Sequence, residues 1–168
     1  MVDVTVADVV AALQYDAATG MFRWRDDNYS YKKGWWHGSL GNEGRYYYFR
    51  IKRKLFTAHV LAWVCSYGGW PSSLDHINRD GRDNRLSNLR LANKSGNGAN
   101  RGKQINNTSG YKGVYKDRYG YWRAKVKKDQ QDIYLGRFDD KVAAAKAYDK
   151  KAREIFGEYA GLNFPEMV

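Results

Sequence analysis

Residues 73–102, SLDHINRDGRDNRLSNLRLANKSGNGANRG, contain a histidine, asparagines, aspartates and arginines but few apolar side chains to anchor a helix or strand. Buried apolar area is what offsets the entropy of ordering a chain, so a core does not run through so polar a stretch. It lies in the middle of 168 residues otherwise rich in tyrosine and tryptophan. A chain of this length makes one domain or two small ones with modest cores. The polar run is either a linker between them or a segment held in shape by something other than apolar packing.

On its N-terminal side, TVADVVAALQY sets Thr5 three residues before Asp8, a capping-box spacing, with Val6, Val9, Val10 and Leu13 at helical intervals. A short helix is predicted there. ATGMFRWR and GRYYYFRIKRKLFTAHV alternate bulky and polar residues around glycine and basic turns, which predicts small antiparallel strands leading into a helix near His59 to Ser66. YGGWPSS then breaks the chain. His59 is read as a helix-start residue, His37 in KKGWWHGS as a loop residue, and the single Cys65 as a buried small hydrophobe. One cysteine permits neither a disulfide framework nor a CxxC zinc site.

Beyond NNTSG the pattern changes. YKGVYKD, YWRAKVKK and DIYLGRF alternate β-branched or aromatic residues with basic ones, separated by DRYG and KKDQQD, and predict three antiparallel strands. DDKVAAAKAYDKKAREIFGEYAG follows with an Asp N-cap, apolar positions at Ala145, Tyr148, Ala152, Ile155 and Phe156, and Gly157 as a stop. The alanine-rich stripe of this helix covers one sheet face. Strand alternation sets Lys112 with Val114, and Trp122 with Ala124 and Val126, apart from Arg123, Lys125 and Lys127, so the opposite face is basic.

Charge narrows the partner. Lys plus Arg total 29 against 18 Asp plus Glu, a net +11. Residues 101–128 carry nine Lys or Arg against one acid, Asp117, whereas residues 129–168 carry six against eight. A polyanion is the expected partner, with Tyr115, Tyr119, Tyr121 and Tyr134 interleaved among the cations. Double-stranded DNA read by a strand ribbon fits best; single-strand stacking is the alternative. No apolar run reaches transmembrane length and no signal-peptide pattern opens the chain, so the expectation is an intracellular protein with no membrane contact and no protein partner implied.

The motifs in this C-terminal stretch, YxGV, WxA, LGxF, AAxAYD and LNFP in order over residues 109–165, resemble the Apetala-two/ethylene-response-factor DNA-binding domain. That resemblance implies a three-stranded sheet reading the major groove with one helix behind it. By position it implies Lys112, Lys116, Arg118, Arg123, Lys125, Lys127 and Tyr134 as DNA-facing residues. Lys112 stands where the plant family usually has arginine, and lysine cannot form the bidentate contact to guanine.

Within the polar run, Asp75 precedes His76, Asn88 follows twelve residues on, and Asn97 nine after that. Phosphodiester hydrolysis needs a base near neutral pKa and hard oxygen ligands for a divalent metal, and His76, Asp75 and Asn97 are of those types. A loop asparagine such as Asn88 commonly ties side chain to backbone. In this order the residues resemble the HNH endonuclease motif in its H-N-N form, as found in phage and intron-type homing endonucleases. The resemblance implies His76 as general base, Asp75 and Asn97 as ligands of Mg²⁺ or Mn²⁺, Asn88 as the loop stiffener, and products ending in 5′-phosphate and 3′-hydroxyl. Arg79, Arg82 and Arg85 bracket the motif, either holding the scissile phosphate or merely solvated.

The expected fold class is α+β: an N-terminal ββα-metal (HNH, His-Me finger) nuclease module over residues 1–97, a linker over 98–108, and a three-stranded antiparallel sheet packed on one helix over 109–168. The expected function is a site-specific, metal-dependent DNA endonuclease in the cytoplasm of a bacterial or phage-infected cell. The rival readings are a catalytically silent DNA-binding regulator and a single-strand RNA-binding protein.

Overall fold

A computed structural model describes residues 3–26, 33–92, 98–103 and 105–165. The chain divides into two compact units, Met1–Ala92 and Asn93–Val168, both mixing helices with small antiparallel sheets.

In the first unit, Val6–Ala12 forms α1, and the capping box is in place: Thr5 Oγ1 accepts from Asp8 N at 3.2 Å and Asp8 Oδ2 accepts from Thr5 N at 2.9 Å. The helix is shorter than the valine spacing predicts. Leu13 turns extended (φ −123°, ψ 142°) and opens β1, Leu13–Asp16, while its side chain stays in the core. Strand β1 pairs antiparallel with β2, Met21–Trp24. A second sheet orders β3 (Ser39–Leu40), β4 (Tyr47–Ile51) and β5 (Lys54–Thr57), and β5 runs directly into α2, Ala58–Tyr67. Phe22 and Phe49 meet at 4.7 Å between ring centroids, and Val9, Leu13, Ile51, Leu61 and Val64 close around them. Cys65 is half-buried at the rim of this core, and burial pushes its thiol up to about 11, so it stays protonated. A third sheet pairs β6, Leu74–His76, with β7, Leu89–Leu91, the latter entered through a 3₁₀ turn at Leu86–Asn88. The helix that a ββα module places next falls on residues 93–97, outside the described residues; residues 98–100 are helical.

In the second unit, β8 (Val114–Lys116), β9 (Trp122–Lys128) and β10 (Gln131–Phe138) form an antiparallel sheet in the order β10-β9-β8. Helix α3, Lys141–Phe156, begins at Asp140, whose Oδ2 accepts from Ala143 N at 2.8 Å. Ala144, Ala145 and Ala152 let its backbone come close to Val114, Ala124 and Val126 on the sheet. Asp149, buried on the same helix, accepts from the backbone N–H groups of Asn163 and Phe164, each at 2.8 Å, and Asn163 Oδ1 accepts from Lys112 N at 2.7 Å. Through these bonds the AYD and LNFP motifs tie the C-terminal segment back to the entry of the sheet. The start of the segment expected as a linker is also docked. Ala99 and Asn100 are buried, and the Ala99 carbonyl accepts from Gly161 N at 3.0 Å.

Gly113 makes the helix–sheet contact possible. Its φ is +73°, and a Cβ there would overlap the Tyr148 ring and lie 2.6 Å from the Lys125 carbonyl. Gly110 also has a left-handed φ of +84° but faces open space. Replacing Gly110 with Ala exposes only the backbone penalty, about 1 kcal/mol, whereas Gly113→Ala adds a clash with a buried ring and is expected to cost several-fold more. Thermal unfolding of the two variants measures the difference.

Candidate active site and nucleic-acid interface

The polar run is held by its own side chains. Asn78 Oδ1 accepts from Asp80 N at 2.9 Å, Asp80 Oδ1 from Arg82 N at 3.0 Å, and Asp83 Oδ1 from Arg85 N at 3.3 Å, a succession of turns in which each polar side chain caps the backbone two residues on. Asn88 sits at the centre and is buried. Its Oδ1 accepts from Asn78 N at 2.9 Å, while its Nδ2 donates to Asn78 Oδ1 at 3.0 Å and to the Asp83 carbonyl at 2.8 Å. Three bonds from one amide close the loop between β6 and β7. Arg82 and Arg85 are exposed but paired, with Asp80 at 3.1 Å and Asp83 at 2.6 Å. Arg79 is exposed, with a left-handed φ of 67°, and has no ion pair among the described residues. Of the three, Arg79 presents the least committed charge.

His76 ends β6, opposite Leu89. Its ring is buried, with the Asn84 amide Oδ1 at 3.4 Å from Nε2 and the rings of His59 and Tyr46 at centroid distances of 4.9 and 6.0 Å. Burial lowers its pKa, against the raising effect of Asn84 and then of the nearby carboxylates, so the imidazole is neutral at pH 7. His59, the second residue of α2, is held down to about 4, first by burial and then by the charge His76 would carry. Its Nε2 is 3.3 Å from Thr57 Oγ1, and its Nδ1 is buried without a hydrogen-bond partner among the described residues. In sequence His59 is only a helix-start residue, and nothing there brings it to His76. The approach depends on β5 running into α2 beside β6, which no spacing reveals. Asn84 escapes the sequence in the same way, as one asparagine among several.

Asp75 precedes His76 on β6 and faces Arg90 across the β6–β7 pair. Arg90 donates from Nε and from one terminal nitrogen to Asp75 Oδ2 at 3.0 and 2.8 Å, with both side chains nearly buried. The pair fixes the orientation of the carboxylate on the residue before His76. Asn97, the other expected ligand, lies outside the described residues. Among the described residues no cluster of three His, Cys, Asp or Glu is poised to hold a metal. A single oriented carboxylate fits Mg²⁺ or Mn²⁺, which keep most of their waters and take one or two carboxylates, better than zinc.

In the second unit the face carrying Arg123, Lys125 and Lys127 is basic, as strand alternation predicts, and neither Lys112 nor Lys116, which the family resemblance turned to DNA, lies on it. Lys112 does not share it: its ammonium donates to the Ala99 carbonyl and lies 5.9 Å from the Tyr148 ring, on the helix side. Lys116, opposite Trp122, has the same strand parity as buried Val114, and its ammonium lies 5.5 Å over the Trp122 ring. Arg118 sits in the β8–β9 turn against Tyr119. Arg123, Lys125, Lys127 and Tyr134 do share a face. Lys125 stands opposite Tyr134, between that ring at 6.0 Å and Tyr115 at 5.7 Å, and pairs with Asp132 at 2.7 Å; Arg123 pairs with Asp117 at 2.9 Å. Arg137 joins them, opposite Arg123 and over the Tyr121 ring at 4.3 Å. Strict alternation from Tyr134 turns Arg137 to the other side. A bulge between Tyr134 and Gly136 restores it to the basic face.

Comparisons with known proteins match the two regions of the chain separately. Residues 56–99 match the HNH endonuclease family model, a span that contains Asp75, His76, Asn88 and Asn97. The chain is also similar to dehydration-responsive element-binding protein 2D of Arabidopsis thaliana, 32% identical over 90 residues, covering 52% of this chain and 44% of that protein. It is 34% identical over 83 residues to the ethylene-responsive transcription factor ERN1 of Medicago truncatula, covering 48% of this chain and 31% of that one. An AP2/ERF and B3 domain-containing protein of Oryza sativa is 41% identical over 58 residues, covering 34% and 16%. The matched region thus spans less than half the length of these relatives. No solved structure matches. The chain therefore combines a segment that matches the HNH endonuclease family model with similarity to AP2/ERF proteins, and among the described residues no helix is long and apolar enough to cross a membrane.

The buried histidines make the first unit acid-sensitive. His59 binds its proton below about 4 when folded but near 6.5 when unfolded, so between those values the unfolded chain takes up more protons. Stability present above pH 6.5 is therefore lost as pH falls toward 4, by on the order of 3 kcal/mol from this residue. The slope of unfolding free energy against pH over that window should flatten in His59→Phe; urea titrations at a series of pH values measure it.

Proposed function

We propose that the chain is a metal-dependent DNA endonuclease in which the first unit cuts and the second holds duplex DNA. The observation that carries this reading is His76: a buried, neutral imidazole beside an oriented carboxylate, in a loop closed by Asn88 and within the segment that matches the HNH family. A neutral imidazole is ready to accept a proton at neutral pH, whereas an exposed one is partly charged.

In the proposed reaction His76 takes a proton from water, the oxygen attacks phosphorus in line, and the bond from phosphorus to the 3′ oxygen breaks; the departing 3′ oxygen takes a proton from a second water, leaving 5′-phosphate and 3′-hydroxyl ends, and His76 returns its proton to solvent. Asp75 and Asn97 would hold one Mg²⁺ or Mn²⁺, which supplies charge neutralisation at the phosphate when bound. Arg90 keeps the Asp75 carboxylate aimed, and Asn88 keeps the loop from opening. Arg79 would meet the phosphate; Arg82 and Arg85 would do so only by giving up Asp80 and Asp83. The duplex would lie on Arg123, Lys125, Lys127, Arg137 and Tyr134, inside a cell where long DNA is available.

The transcription-factor names of the relatives favour a second reading, a DNA-binding regulator whose nuclease half does not cut. Supercoiled plasmid incubated with Mg²⁺, Mn²⁺ or EDTA separates them: nicked or linear product that requires metal supports the nuclease. His76→Ala should abolish that product with DNA affinity within about twofold of the parent, and retained cleavage would remove His76 from the role. Neutralising Lys125 and Lys127 together should shallow the plot of log affinity against log salt by about two units, measured by fluorescence anisotropy. An unchanged slope would place the DNA elsewhere.

A further inference from the structure

We propose that Asn84 is a positioning residue that fixes which ring nitrogen of His76 carries the proton, and that the β1–β2 hairpin braces Asn84 in that role; this rests on His76 being the base. Asn84 is 1% exposed, among the most completely buried side chains of the first unit. Its amide has one donating and one accepting end. The Nδ2 end lies 3.4 Å from the Arg82 carbonyl, which can only accept. The Oδ1 end is thereby turned to His76 Nε2, also at 3.4 Å. An amide oxygen only accepts, so Nε2 must donate. In a neutral imidazole that leaves the lone pair on Nδ1, and Nδ1 is then the atom that takes the proton from water.

The brace comes from residues far away in sequence. The Tyr15 hydroxyl on β1 donates to the Asn84 carbonyl at 2.8 Å, and Leu86 N donates to the Ala17 carbonyl at 3.0 Å. Gly20, at φ +73°, lies so close that a Cβ would be 2.7 Å from the Asn84 carbonyl carbon and 2.6 Å from Arg85 N. The chain at Asn84 is thus pinned on two sides by hydrogen bonds and packed against a glycine on a third. A residue placed only to fill space would need no amide: a leucine has the same branched heavy-atom skeleton, though bulkier, and costs far less to bury. A buried amide with its oxygen on an imidazole instead resembles the general arrangement in which the partner of one ring nitrogen sets the chemistry of the other.

The test is a long-range ¹H–¹⁵N correlation spectrum of the full-length, ¹⁵N-histidine-labelled chain above pH 7, with His76 assigned by its disappearance in His76→Ala. The expected result is the Nε2-protonated pattern for His76 in the parent and its loss in Asn84→Leu. The Nδ1-protonated pattern in the parent overturns the proposal, whatever the variants do. On supercoiled plasmid with Mg²⁺, Asn84→Leu should lower turnover about 10–100-fold with KM little changed, and Tyr15→Phe, a milder change that keeps the ring, should lower it less. Should Asn84→Leu not fold, the parent spectrum and Tyr15→Phe still decide. Cleavage that survives in His76→Ala defeats the base assignment itself; an inert His76→Ala beside a folded Asn84→Leu with parental turnover and tautomer defeats only the role of Asn84.

Discussion

Side-chain amides and carboxylates that cap backbone N–H groups hold the centre of this protein. Between β6 and β7 the chain has too little apolar surface to collapse, yet it holds a closed loop between the strand that carries Asp75 and His76 and the strand that carries Arg90. Each capping bond contributes only about 1 kcal/mol net, but leaving its buried partner unmade costs more, so a closed set resists opening as a unit. Asn88 contributes one such cap, on Asn78 N, and its Nδ2 adds two donated bonds, to Asn78 Oδ1 and to the Asp83 carbonyl. The loop is therefore held for a reason different from that of the unit around it, by polar bonds and not by an apolar core.

In the second unit the balance is reversed. There the sheet is clamped by apolar contact on one face so that the other is free to carry charge. Alanine at the helix surface, glycine at position 113 and a buried Asp149 that captures the chain end bring α3 close enough to bury Val114 and Val126, each worth about 1.5–3 kcal/mol. The cost of arraying cations on the opposite face is eased locally: Arg123 and Lys125 lean on Asp117 and Asp132, and aromatic rings lie beneath Lys125 and Arg137. The Lys125–Asp132 pair is partly exposed on both sides and weak, so a phosphate can displace Asp132 at little cost, whereas Asp117, the partner of Arg123, is nearly buried.

What the sequence disclosed follows from how local each signal is. The Thr5–Asp8 box, the Asp140 cap, the three strands and the helix stop at Gly157 depend on neighbours within a few residues, and they were legible. So was the HNH segment itself, because its chemistry needs particular residue types in a fixed order. Three things were not. The bulge after Tyr134 moved Arg137 to the basic face, since one extra residue inverts a period of two. Lys112, which strand alternation already set with Val114, donates to the Ala99 carbonyl, a contact that no local pattern reveals. The neighbours of His76, namely His59, Tyr46 and Asn84, reach it from three separate parts of the chain.

That last gathering explains why the first unit carries strands and a helix ahead of a motif that by itself spans only residues 73–97. A base works when its lone pair points at water, and burial that keeps an imidazole neutral also strips it of solvent partners that could orient it. Orientation must then come from the protein, and the loop between β6 and β7 has no apolar core with which to supply it. The β1–β2 hairpin holds the Asn84 backbone through Tyr15, and β4 and α2 bring Tyr46 and His59 against the ring. The hydrophobic core of the unit, centred on Phe22 and Phe49, fixes all of these at once. On the proposed reading, in which His76 is the base, that core also supports the direction of one nitrogen.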